Sequence, residues 1–151
     1  VLALPVARER SPAKLARCLT ALSERVGRRG LVVLASDLID SDPEALAPLS
    51  RLSALGHDVV VLHVMHPHEL EFPFRHSLHF DDAESAQSLE TDADAVRTAY
   101  LIELQTFLRN CEQRCTSAGA RYALARTDSP VEEVLAAVLL AARRNGRSGW
   151  A

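Results

Sequence analysis

Apolar positions along the chain follow two alternating patterns: short continuous runs, and longer stripes that recur every three or four residues. The runs are Leu31 to Ala35, Val59 to Val64, and a weaker one from Arg121 to Ala125. Runs of this length, rich in β-branched residues and bounded by Gly30, Asp58 and Asp128, predict buried parallel strands. The stripes are Leu15, Leu19, Leu22 and Val26; Leu46, Leu49, Leu52 and Leu55; Val96, Tyr100, Leu104, Phe107, Leu108, Cys111 and Cys115; and Val134, Leu135, Val138 and Leu139. Each predicts one apolar face of a helix. Start signals agree: Ser11 with Pro12, Asp42 with Pro43, and a capping box of Ser129 and Glu132. Stop signals are Gly27 with Gly30, Gly56, and Gly119.

The helix and strand signals therefore alternate, which predicts an α/β domain with a mainly parallel sheet covered by helices. Leu31 to Ala35 reads as its middle strand, buried on both faces. Residues 65–91 break the alternation with two prolines, three phenylalanines and four histidines. Such an excursion marks an interaction surface or a small hairpin, here Ser77 to Asp81 against Gln87 to Thr91. Val1 to Val6 reads as a strand fragment with no initiator methionine. Three parallel strands are few for a doubly covered sheet, so a segment ahead of the chain is expected to supply more, and residues 1–151 read as one N-terminally truncated domain.

Composition narrows the class. Of 151 residues, 48% are hydrophobic and 25% charged, enough for one ordinary core. No apolar run reaches the ~20 residues of a membrane helix. Three cysteines, with Cys111 and Cys115 four apart on one helix face, predict core thiols rather than a disulfide framework, so the cytoplasm is the expected location. The net charge of −3 hides an uneven layout: residues 31–94 hold thirteen acidic groups and two basic ones. An acidic middle argues against a nucleic-acid surface and for a basic partner face or a cation.

Ligands of open α/β sheets bind past the carboxyl ends of the strands. Here those ends carry Ser36, Asp37, Asp40 and Asp128, oxygen donors of the kind Mg2+ prefers, or capping residues of helix-entering loops. His63, His66, His68, His76 and His79 are metal ligands by type, yet their spacing fits no structural zinc site. Glu69, Glu71, Phe72 and Phe74 form either an exposed partner-binding tongue or a plug against the sheet edge. No nucleophile elbow, phosphate-binding glycine loop or HExxH motif occurs, so no catalytic residue is predicted.

In order along the chain, GRRGLVVLASDLID, GHDVVVLHV, HELEFPF, the hairpin stretch with DDAES, AYLIELQTFL and RTDSPVEEVL resemble the C-terminal half of proteins of the DUF58 family, domain of unknown function 58. The resemblance spans nearly everything from Arg28 to Leu140. It implies a Rossmann-like, three-layer fold of von Willebrand factor A type, and a MoxR-type AAA+ ATPase partner in chaperone-like assembly or maturation of other proteins. It also places Asp37 at the last position of a metal-ion-dependent adhesion site. The Asp-x-Ser-x-Ser motif of such sites is absent, Arg10, Ser11, Pro12 and Ala13 lack the threonine, and His66 stands where the family often has an acidic residue. Mg2+ binding would thus need ligands from the chain upstream.

The expected function is a non-enzymatic protein-interaction domain that engages its partner through Ser36, Asp37, Asp40, Glu69, Glu71, Phe72, Phe74 and Asp128. One alternative is a divalent-metal-dependent binding protein or hydrolase using Asp37, Asp40 and Asp128. Another is a structural homo-oligomeric subunit.

Overall fold

The structure, a computed structural model, describes residues 12–27, 29–39, 45–75, 77–81 and 88–143. Ser11, Asp40 to Glu44, His76, most of DDAES and Val1 to Val6 lie outside these, and with them the expected start signals at Ser11 and Asp42.

The elements follow the predicted alternation: α1 (Pro12–Arg25), β1 (Leu31–Ser36), α2 (Pro48–Ala54), β2 (Asp58–Met65), α3 (Pro67–Glu71), β3 (Ser77–Asp81), β4 (Ser88–Asp92), α4 (Ala93–Ser117), β5 (Arg121–Arg126) and α5 (Val131–Arg143). Strands β1, β2 and β5 form a parallel sheet in the order β1-β2-β5. The hairpin pairs Ser77 with Asp92 through Asp81 with Ser88, one residue further along its second strand than the pattern suggested. The chain is thus α/β, with a three-stranded parallel sheet and a two-stranded hairpin among the described residues.

Among the described residues the central strand is β2, with β1 beside it. Val59, Val60, Val61, Leu62 and His63 are all buried, whereas β1 alternates exposed and half-buried, with Leu31 and Val33 at 42% and 44% exposure. An aliphatic run reads the same whether one face or both are covered, so the pattern could not separate the two strands. Position in the sheet does: β2 has a hydrogen-bonded neighbour on each side, while β1 has one among the described residues.

Two apolar layers flank the sheet. On one face Leu19 of α1, Leu49 and Leu52 of α2, and Cys111 and Cys115 of α4 pack over Val59 and Val61, with Val32, Leu34 and Tyr122 at the margin. On the other, Val134 and Val138 of α5 cover Val60, Leu62, Val64 and Ala123. Both cysteines are buried free thiols, and burial pushes that of Cys115 up to about 11, as core thiols require.

Two stripe positions depart from expectation. Leu55 is 48% exposed, because α2 ends at Ala54 and the chain turns away through Gly56, whose φ of +86° suits glycine. Leu135 is 54% exposed, on the flank of α5 rather than beneath it. The box expected from Ser129 and Glu132 does not form; the Pro130 carbonyl instead accepts from Glu133 and Val134 N–H. Among the described residues no helix is long and apolar enough to cross a membrane.

These burials set an expectation for stability. Leu52→Ala removes a fully buried side chain and should cost ~2–5 kcal/mol in denaturant unfolding. Leu55→Ala, one turn on at an exposed position, should stay within about 0.5 kcal/mol of the parent. Equal losses at both would contradict the observed end of α2.

Candidate functional site

Parallel strands in register deliver their carboxyl ends to one edge of the sheet. Ser36 lies opposite His63, Leu124 lies opposite His63 from the other side, and Met65 lies opposite Arg126. That edge is closed by three turns, and each is built from the side chains that follow its strand.

After β1, Ser36 Oγ accepts from Leu38 N–H at 3.1 Å and Asp37 Oδ1 from Ile39 N–H at 3.4 Å. These local bonds tighten the chain into a turn. Leu38 takes a φ of 56°, in the left-handed region that side chains disfavour, and its own side chain is almost wholly buried. Burial of the leucine holds the turn, which leaves Asp37 exposed at the strand end.

After β2, His66 caps the short helix α3. Its Nδ1 accepts from His68 N–H at 3.1 Å, while Glu69 Oε2 accepts from His66 N–H at 2.7 Å. This is a capping box with histidine in the place of serine or threonine. Pro67 begins the helix, where a missing N–H costs nothing. Phe72 then ends it at a φ of 44°, its ring buried against Tyr100 at 4.7 Å between centroids and edge-on to Phe74 at 5.2 Å. Tyr100 Oη donates to the Glu69 carbonyl at 2.9 Å, and Arg97 donates to the carbonyls of Glu71 and Phe72. Residues 69–74 are thus packed onto α4 as a plug rather than raised as a tongue. Glu69 serves as a cap, and of the two phenylalanines Phe72 is inside and Phe74 half-buried.

After β5, Arg126 Nε and Nη2 donate to the two carboxylate oxygens of Asp128 at 3.0 Å each, and its Nη1 donates to Glu71 Oε1 at 2.8 Å. One guanidinium therefore ties the turn after β5 to the end of α3, in the fork geometry that favours arginine. Arg126 is held charged, and its hydrogen bonds lower the Asp128 carboxyl below its ordinary value. The connections leaving β2 and β5 run to opposite faces of the sheet, toward α4 and α5, and this clasp joins them at the strand ends. Sequence reasoning missed Arg126 and, for His66, its role as the cap of α3. The adjacency of Arg126 to Asp128, and of Pro67 to Glu69, carried the signal.

Beneath the rim lies His63, fully buried on β2. Its Nδ1 shares a 2.7 Å hydrogen bond with Tyr122 Oη, and its ring stands edge-on to Phe107. Nε2 is buried with no hydrogen-bond partner among the described residues. Burial lowers the His63 pKa, against the opposing pull of the Asp37 backbone and the charges of Asp37 and Glu69. Tyr122 is raised, first by burial and then by Cys111, Cys115 and Glu112.

The structure thus brings Ser36, Asp37, Glu71 and Asp128 to the strand-end rim, but not as a ligand set. Both oxygens of Asp128 are taken by Arg126, and among the described residues no group of three or more His, Cys, Asp or Glu is placed to hold a metal ion. His66 and His68 touch ring to ring in the exposed turn, apart from buried His63. Asp40 lies outside the described residues. A separate groove of about 400 Å3 between α2 and α4 carries a single charged side chain, Arg114.

Two titrations check this geometry. His63 binds its proton more weakly in the folded chain than in the unfolded one, so the unfolded state is favoured as pH falls from about 6.5 through the lowered value. His63→Gln, which does not titrate, should flatten that part of the stability profile; an unchanged slope would place the cause elsewhere. Arg126→Ala should let the Asp128 carboxyl rise toward its ordinary range in an NMR titration while leaving stability nearly unchanged, because the pair is exposed. An Asp128 titration indifferent to Arg126 would contradict the clasp.

No curated protein and no solved structure matches the chain. Residues 3–106, more than half of it, match the family model described as Protein of unknown function DUF58, and the chain belongs to that family.

Proposed function

We propose that this chain is a non-catalytic protein-interaction domain whose docking surface is the rim at the carboxyl ends of β1, β2 and β5. Its partner is a MoxR-type AAA+ ATPase, engaged in assembling or maturing other proteins. The observation that supports the docking surface is the rim itself: the exposed carboxylates of Asp37 and Asp128 just past the ends of β1 and β5 and of Glu71 at the end of α3, each fixed by a short turn or by the Arg126 clasp. Preset charges on rigid turns cost little entropy when a partner arrives, and an acidic excess selects a basic face. The identity of the partner rests on the resemblance to the DUF58 family.

The domain engages through the charged rim rather than through Phe72, whose ring holds the plug in place. Arg126 sets the spacing of two of the three carboxylates, and Glu69 acts through the cap that starts α3. Binding assays against the cognate ATPase at two salt concentrations test the reading. Asp37→Lys should weaken binding roughly tenfold and reduce its salt dependence. Binding by Asp37→Lys and Glu71→Lys equal to that of the parent would remove the rim from the interface.

A further inference from the structure

Helices α2 and α4 sit on one core without closing over it. Leu49 and Leu52 of α2 and Cys111 and Cys115 of α4 join the same buried cluster, and a Cβ added at Gly119 would stand 3.0 Å from Ser53 Cβ, so the helix ends nearly touch. Ahead of that contact they part. The gap is the groove of about 400 Å3, walled by Leu46, Ala47 and Ser50 at the start of α2 and by Gln113, Arg114, Ser117 and Ala118 at the end of α4. Alanine and serine stand where larger side chains would fill it.

Arg114 is the one charged group in these walls. It is half-buried, and among the described residues none forms a hydrogen bond or ion pair with its side chain. A cation in the last turn of α4 favours the negative end of the helix dipole. That role needs only the charge and leaves the guanidinium donors unused. A partly buried arginine with no acceptor beside it is poised for a carboxylate, which its planar fork can hold at two points. Ser117, three residues on and on the same side of α4, adds a hydroxyl.

Shape and charge together choose the occupant. Ala47, Ser50, Gln113 and Ser117 are exposed, so the groove is a trough open to solvent and does not enclose a small molecule as a ligand cavity does. A nucleic-acid strand asks for several cations, and here there is one. What fits is a chain segment that runs on beyond the trough, sets a carboxylate on Arg114 and lays an apolar side chain against Leu46, Ala47 and Ala118.

We infer that the groove between α2 and α4 docks an acidic peptide segment of a partner protein, with Arg114 as the anchor for its carboxylate. None of the groove residues belongs to the strand-end rim, and the charge is opposite. The two surfaces therefore select different segments, and binding at the groove is independent of what the rim engages.

An array of seven-residue peptides, each with a central Glu, Gln or Lys between small and apolar neighbours, tests this when probed with the whole protein. The best Glu peptides should bind at least roughly tenfold more tightly than their Gln and Lys counterparts, and Arg114→Gln should erase that difference. Arg109→Gln, which removes a charge from an exposed position of the same helix, should leave it intact. Ser117→Leu, which fills the trough without touching a charge, should weaken the Glu peptides as well. Absence of any preference for Glu, or a preference that survives Arg114→Gln, would overturn the inference. Self-association of the protein that Arg114→Gln abolishes would overturn it too, by giving the groove to a second copy.

Discussion

Strand β2 has no side toward water. Its main chain is hydrogen-bonded to β1 and to β5, its Val59 and Val61 lie under α1, α2 and α4, and its Val60 and Leu62 lie under α5. A strand so enclosed cannot slip by one residue, since a slip would exchange its two apolar faces and carry His63 to the opposite layer. The register of both neighbours is fixed by that constraint. So is the alignment of three strand ends, on which everything said of the rim depends.

The rim itself is held by burial more than by charge. Leu38 and Phe72 both adopt backbone angles that non-glycine residues avoid, at a cost of about 1–3 kcal/mol each, and both bury their side chains. Each stands just past an element that ends at the rim. The hydrophobic gain of the buried side chain offsets the backbone cost, and the neighbouring acidic residue is left in a defined, exposed position. Arg126 adds geometry rather than stability, joining Glu71 to Asp128 across the ends of β2 and β5. His63 lies below with one ring nitrogen satisfied by Tyr122 and the other buried without a partner among the described residues. It ties the titration of the sheet interior to the acidic surface above it.

Much of this fold was legible in the residues. The three apolar runs became three parallel strands, the stripes at Leu49 and Leu52 and at Cys111 and Cys115 became buried helix faces, and the excursion after Met65 contained a hairpin. The order of the strands was not legible, because LVVLAS and VVVLHV carry the same aliphatic signal and differ only in how many neighbours they find. Leu55 and Leu135 fit their stripes yet face outward, since periodicity marks a side of a helix but not where that helix stops or how far its neighbour reaches. At the site, Ser36, Asp37 and Asp128 were found from their place after strands. Arg126 was not: its adjacency to Asp128 signals a local pair, but its tie to Glu71, 55 residues earlier, exists only in the folded chain. Plug and tongue read alike at Phe72 for the same reason: Tyr100 and Arg97, which hold it, lie on a helix remote in sequence.

Through-hydrogen-bond scalar couplings in solution NMR test the enclosure of β2 most directly. The account predicts couplings from β2 to both neighbours, in the register that sets Leu62 between Ala35 and Ala123. Couplings to one neighbour only, or a register displaced by one residue on either side, would contradict it and scatter the strand ends that form the rim.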